Sequence, residues 1–235
     1  MSQTSSQPEP AIDVRALCKF HDSTAALLDV TFSVARGDVI AIIGKPGSGK
    51  TTLLKRLAGH VTPTGGRIRL SGLDLRTARI ALTARIGYVS QIRVDFGHMV
   101  SRDLLEFSAR ARQIPQHQIN SRVEHVVDVC ELDGALDMPC RRLGVYGRMR
   151  VALAQALLHE PSVLLLDEIL SALDDRKVQT TARVLRRLRG GTTLLVTGAL
   201  TAGTVLAVDR ALLREGGRLA FDGRPADMSQ VGKRL

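Results

Sequence analysis

Two short stretches carry residue types that can do chemistry. Gly44-Lys45-Pro46-Gly47-Ser48-Gly49-Lys50-Thr51-Thr52 fits G-x-x-x-x-G-K-[ST], the phosphate-binding P-loop. Its glycines permit dihedrals that a Cβ would forbid, so the loop's N–H groups can turn inward onto phosphate oxygens. Lys50 is placed to reach the β- and γ-phosphates of a nucleotide, and the Thr51 hydroxyl to ligate Mg²⁺. The second stretch, Val163-Leu164-Leu165-Leu166-Asp167-Glu168, is an apolar run ending in two acids, the Walker B pattern. Asp167 suits the Mg²⁺ shell. Glu168, one residue further, can orient or deprotonate an attacking water. The plainer readings are a glycine-rich turn and a solvated strand end.

The flanking elements favour the chemical readings. Val39-Ile40-Ala41-Ile42-Ile43 reads as a buried strand before the loop, and Thr52–Ala58 as a helix that stops at Gly59. Strand, glycine loop and helix are the context that this motif requires.

The rest of the chain supplies a frame. Ile12–Phe20 and Leu28–Val34 alternate like half-buried strands. Thr64-Gly65-Gly66 reads as a turn before a strand at Arg67–Leu70, and Ile86–Gln91 as a strand ending on a polar residue. From about residue 92 to 160 the pattern turns helical, with Leu104, Leu105 and Ala109, then Val123, Val126, Val127 and Cys130, at helical spacing. Sheet returns at Val163, followed by a helix over 175–189, a buried strand at Thr192–Thr197 and a strand pair at Ala211–Arg214 and Arg218–Phe221. Arg183, Arg186, Arg187 and Arg189 read as a solvated helix face. The expected fold class is α/β. Residues 1–10 are expected to be a disordered tail, 11–91 and 161–235 the two parts of a nucleotide-binding core, and 92–160 a helical subdomain.

Composition narrows the partners. The 235 residues include 44% hydrophobic side chains, enough for a sizeable core. Cys18, Cys130 and Cys140 show no C-x-x-C pairing, so buried reduced thiols are expected. The net charge of +10 fits nucleic acid, an anionic membrane face or an arginine-rich solvated surface. Aromatic residues make up only 3% and Trp is absent, so nucleic acid is not expected as a partner. The first ten residues hold no apolar signal core, and no apolar run approaches a membrane span.

The order P-loop, strand ending in Gln91, helical insert and Walker B resembles the nucleotide-binding subunits of ABC transporters from about residue 12 to 225. The resemblance implies a P-loop NTPase, RecA-like core with an antiparallel β subdomain and an inserted helical subdomain. It implies ATP and Mg²⁺ as ligands, hydrolysis by Glu168 and Lys50, and Gln91 as a further Mg²⁺ contact that couples to a membrane subunit. Phe20 sits where the family places an adenine-stacking aromatic; on its own it reads equally as a core Phe. Ser171-Ala172-Leu173-Asp174 is similar to the family's D-loop, with Asp174 its acid. The implied partners are a transmembrane permease and a second ATP-binding subunit, identical or not. The implied location is peripheral, on the cytoplasmic face of the membrane.

Two departures stand out. The family's signature, usually Leu-Ser-Gly-Gly-Gln, aligns with Leu143-Gly144-Val145-Tyr146-Gly147; a one-residue slip would instead put Gly147 at the second glycine. In the family this segment caps the γ-phosphate held by a partner's P-loop. Gly144 offers no hydroxyl, and Tyr146 is expected to place a bulky side chain where backbone should approach phosphate. The family's switch histidine is replaced by Gly198, and no histidine follows His159. A non-catalytic, regulatory nucleotide-binding half of an asymmetric pair is the alternative that these departures support.

Overall fold

The computed structural model of the chain describes residues 9–22, 24–62, 64–90, 97–171, 173–198 and 208–228, and among these it has ten strands and six α-helices. In chain order they are β1 (Ile12–His21), β2 (Thr24–Val34), β3 (Val39–Ile43), α1 (Lys50–Leu57), β4 (Gly65–Leu70), β5 (Leu73–Asp74), α2 (Arg79–Thr83) and β6 (Ile86–Val89). Then come α3 (Ser101–Ala111), α4 (Gln116–Val129), α5 (Val145–Leu157), β7 (Val163–Leu166), α6 (Asp175–Leu188), β8 (Thr193–Thr197), β9 (Arg210–Glu215) and β10 (Arg218–Gly223).

The strands divide into two sheets. One is six-stranded, in the order β10-β9-β3-β8-β7-β6, parallel from β9 through β6 with β10 antiparallel at its edge. The other is antiparallel, in the order β2-β1-β4-β5. Three inner strands of the large sheet, β3, β7 and β8, each serve two cores. On β7, Leu164 and Leu166 pack with the helices α3, α4 and α5, whereas Val163 and Leu165 pack with α1 and the small sheet. Strands buried on both faces read as unbroken apolar runs, which is how β3, β7 and β8 stand in the sequence.

The sequence reading differs from the structure at a few elements. β2 begins at Thr24 rather than Leu28, and α1 at Lys50 rather than Thr52. Gly65 and Gly66 belong to β4 and not to a turn before it. The β1–β4 register shifts between Arg15 and Cys18, and Gly66 takes φ +84° where a Cβ would meet the Ala16 carbonyl oxygen at 2.4 Å. This is a bulge that only glycine fits. β5 and α2 are too short for their periodicity to be read. β6 ends at Val89; Gln91, Ala172 and most of the expected tail, residues 1–8, lie outside the described residues. Cys18 is half-buried, while Cys130 and Cys140 are buried, and all three are free thiols.

Candidate nucleotide site

The P-loop leaves the carboxyl end of β3 and feeds directly into α1. Its glycines take φ +155° at Gly44, +80° at Gly47 and +87° at Gly49. A Cβ at Gly49 would lie 2.2 Å from the Ala26 carbonyl oxygen, so the loop is pressed against β2 there. Lys50, 8% exposed, donates to the Gly44 carbonyl at 2.8 Å and pairs with Glu168 Oε1 at 3.2 Å. The Ser48 hydroxyl is buried with no hydrogen-bond partner. An open cleft of about 550 Å³ lies over the loop, lined by Thr24–Ala26 of β2, Pro46–Thr52 and Glu168.

The acids come from β7, two strands away in the sheet. Asp167, 1% exposed, accepts from the Thr51 hydroxyl at 3.0 Å, from Thr197 Oγ1 at 3.0 Å and from the Tyr88 hydroxyl at 3.2 Å. Burial, and then the Asp167 charge, push the Tyr88 phenol above its ordinary range, so it stays a donor. Thr197 also accepts the Glu168 N–H at 2.8 Å, which ties both acids to the end of β8. Glu168 holds φ +55° in the left-handed region. Its carboxylate accepts from the Ser171 hydroxyl. A Cβ at Gly198 would lie 3.7 Å from both Glu168 Oε2 and Ser171 Oγ, so Ser171 stands beside the position of the absent histidine.

Oxygen donors alone converge between Thr51 and Asp167, the donor set of a hard cation. Mg²⁺ is commonly held by one or two carboxylates plus phosphate oxygens rather than by an all-protein cage. Among the described residues no cluster of three acidic, histidine or cysteine side chains forms such a cage. The residues therefore fit Mg²⁺ bound together with a nucleotide.

Phe20 is 40% exposed on β1, opposite Ala25 of β2 at the edge of the cleft, so it is not a core residue. Asp174 accepts from Lys177 Nζ at 2.6 Å and, as the cap of α6, from the Lys177 N–H at 3.0 Å, and these hydrogen bonds, the side-chain one first, hold its carboxyl below the usual range. Arg183, Arg186, Arg187 and Arg189 face solvent, as their pattern suggests.

Tyr146 departs from expectation. Its ring is partly buried against the helical core, its hydroxyl is enclosed, and the Arg150 guanidinium stacks 4.7 Å from the ring centre. The side chain therefore turns inward and does not project from the amino end of α5. The exposed residues there are Gly144, the N-cap, and Val145.

One residue near the P-loop escapes sequence reasoning. Arg214, on β9, is 1% exposed. Its Nε donates to the Ser48 carbonyl at 3.1 Å, and its Nη2 to the carbonyls of Ala26 at 3.2 Å and Gly217 at 2.9 Å. Burial pushes its pKa down to about 10. Strand alternation held the signal: Arg214 shares a face with Leu212, a core residue.

The family profile described as ABC transporter matches residues 27–171. The sulfate/thiosulfate import ATP-binding protein CysA of Thermosynechococcus vestitus is 36% identical over 220 residues, 92% of this chain and 65% of that protein. The spermidine/putrescine import ATP-binding protein PotA of Aggregatibacter actinomycetemcomitans is 32% identical over 225 residues, 94% of this chain and 60% of that one. The chain thus spans between 60% and 65% of the length of these curated relatives. Among solved structures, cbiO1 of Clostridium perfringens, part of the transporter complex cbiONQ, superposes with a TM-score of 0.86 at 26% identity, covering 96% of this chain and 93% of that one. The ATP-binding cassette MJ0796, solved as a dimer in a post-hydrolysis state with ADP and Pi, gives 0.79 at 19% identity over 91% of this chain and 98% of that one, a likeness of fold alone.

Proposed function

The chain belongs to the ABC transporter family, and from that premise we propose that it binds Mg-ATP and hydrolyses it to drive solute transport through a separate membrane subunit. The observation that carries this reading is the constellation of Lys50, Thr51, Asp167 and Glu168. Thr51 Oγ1 lies 3.0 Å from Asp167 Oδ1, and Lys50 Nζ 3.2 Å from Glu168 Oε1.

The loop's amides and Lys50 bind the phosphates, with the amino end of α1 adding its partial positive charge. Thr51 and Asp167 would hold Mg²⁺, which would neutralise charge on the phosphate oxygens. For hydrolysis Lys50 exchanges its contact with Glu168 for the γ-phosphate. Glu168 takes a proton from water, the water oxygen bonds to the γ-phosphorus, and the bond to the β–γ bridging oxygen breaks to leave ADP and phosphate. Thr197 and Ser171 hold Glu168 on the cleft side during that proton transfer.

A second cassette packs head to tail on the first, and each signature segment faces the other's P-loop. A homodimer combines Gly144 and Gly198 in both sites; a heterodimer separates them. The permease contacts the side where β6 ends. A cleft of about 370 Å³ opens there beside Val89 and Ser90, with Phe107 57% exposed on its rim. No helix among the described residues is long and apolar enough to cross a membrane. The chain then works at the cytoplasmic face of the membrane, held there by the permease.

Gly144 and Gly198 favour a second reading, a regulatory half-site that binds ATP without turnover. Steady-state hydrolysis and ATP binding by the chain, with Lys50→Ala and Glu168→Gln as controls, separate the two. Turnover that both substitutions remove supports the ATPase. Binding without Glu168-dependent turnover, persisting beside the membrane partner, supports the regulatory half. Absence of nucleotide binding rules out both.

A further inference from the structure

At the opposite end of α1 from Lys50, a cavity of about 450 Å³ opens between the helix, the strands β4 and β5, and the start of α2. Arg56, Thr62, Thr64, Arg67, Arg76 and Arg79 line it, with Asp74 as the acid in its wall. Arg56 is 0% exposed. Its Nη1 donates to the Val61 carbonyl at 3.0 Å, while its Nε and Nη2 are enclosed with no partner.

A buried guanidinium normally pairs with a carboxylate, because leaving water costs the charge its hydration. Among the described residues no carboxylate forms an ion pair with Arg56. Asp74 is engaged elsewhere: one oxygen lies 3.4 Å from Arg67 Nε, and the other accepts the Arg76 N–H at 2.9 Å. The surroundings are electropositive. Burial lowers the pKa of Arg56, and burial, Arg79 and Lys55 together lower that of His60 at the end of α1. Arg76 and Arg79 are exposed and can move toward a ligand.

We propose that this cavity binds a doubly charged tetrahedral oxyanion, sulfate or phosphate, drawn to the unpartnered Nε–Nη2 edge of Arg56, which swings out of its enclosure to meet the ion while Arg76 and Arg79 close over it. The two nitrogens form the edge of a guanidinium that takes oxyanions in a two-point hydrogen bond. Thr62 and Thr64 supply hydroxyl donors on the rim, and the volume accommodates the ion with part of its hydration shell. The lip is tied to the nucleotide site, because Thr64 N–H donates to the Cys18 carbonyl at 3.2 Å and Thr64 Oγ1 accepts the Phe20 N–H at 3.5 Å.

Calorimetry on the full chain, with ADP at saturation to fill the P-loop, tests the site. Sulfate should bind and chloride at equal ionic strength should not. Arg56→Gln should abolish sulfate binding, and joint replacement Arg76→Ala with Arg79→Ala should weaken it about tenfold. Crystals soaked in selenate should carry an anomalous peak within hydrogen-bond distance of Arg56 Nε and Nη2. Sulfate affinity unchanged in the double variant, or an anomalous peak confined to the P-loop, overturns the assignment. If Arg56→Gln fails to fold, the double variant and the selenate peak decide the matter.

Discussion

Lys50 Nζ lies 3.2 Å from Glu168 Oε1, so the P-loop lysine and the second acid after β7 are paired with each other. Both groups are mostly enclosed, which makes the contact stronger than a surface ion pair. A γ-phosphate must compete with Glu168 for Lys50. Glu168→Gln should therefore bind ATP more tightly than the parent chain while hydrolysis falls by about 10²–10⁴-fold. Equilibrium titration and phosphate release measure the two effects. Weaker ATP binding in this variant would show that the pair does not compete with nucleotide.

Arg214 fastens the P-loop to the two elements behind it through the carbonyls of Ser48, Ala26 and Gly217. Arg214→Met takes that donor from the Ser48 and Ala26 carbonyls at a cost of about 1–3 kcal/mol for each one that stays buried, while Gly217 keeps the Leu28 N–H at 2.8 Å. Arg214→Lys keeps the charge but not the planar fork, so its loss should be smaller. Urea midpoints should fall in the order parent, Lys, Met, with ATP affinity following. Equal affinities across the three would separate Arg214 from nucleotide binding.

The two departures from the family pattern differ in how readily they can be reversed. Gly144 is the N-cap of α5 at φ −61° and ψ 174°, and a Cβ there meets nothing within 4 Å. Gly144→Ser should add a few tenths of a kcal/mol to stability through the cap. If two copies pair, it should also raise hydrolysis about 10²-fold by restoring a donor. Gly198 takes φ +147°, where a side chain is strained. Gly198→His should lower stability by about 1 kcal/mol and recover less activity. Larger gains from Gly198→His than from Gly144→Ser would contradict the geometry.

His159 makes folding sensitive to acid. Its Nε2 lies 3.1 Å from the Ile86 carbonyl oxygen and 3.3 Å from Arg112 Nη1. Burial, and then the Arg112 charge, push its pKa down to about 4, against the Ile86 hydrogen bond. With the folded pKa below the unfolded one, the neutral ring's stability is full above about pH 6.5 and is lost as pH falls through about 4. The amount is on the order of 2 kcal/mol once solvent screening is discounted. Denaturant unfolding between those limits should show the slope, and His159→Gln should flatten it. An unchanged slope would assign it to other groups.

The site was readable in the sequence where local geometry and chemistry coincide. Gly44–Thr52 spells a loop between strand and helix that depends on its glycines, and Gly44, Gly47 and Gly49 all take positive φ. The run from Val163 to Leu166 must be buried, so the acids after it stand at a strand end. Contacts between distant segments were not readable. Thr197 joins Asp167 to Glu168 across a strand pairing, and Arg214 reaches Ser48 from far along the chain. Tyr146 misled because a motif position says where the backbone lies, while the side chain follows the nearest available packing.

β7 alternates between the two cores, Val163 and Leu165 facing one, Leu164 and Leu166 the other, and it ends directly on Asp167. Exchanging one of these residues for another of similar volume disturbs a single core and leaves the acid in place. Adding or deleting one residue exchanges the two faces and rotates the acid out of reach of Thr51. For this strand the number of residues constrains the chain more than their identity does. A library of single-codon insertions should find almost no functional members between Val163 and Asp167, whereas apolar substitutions there survive.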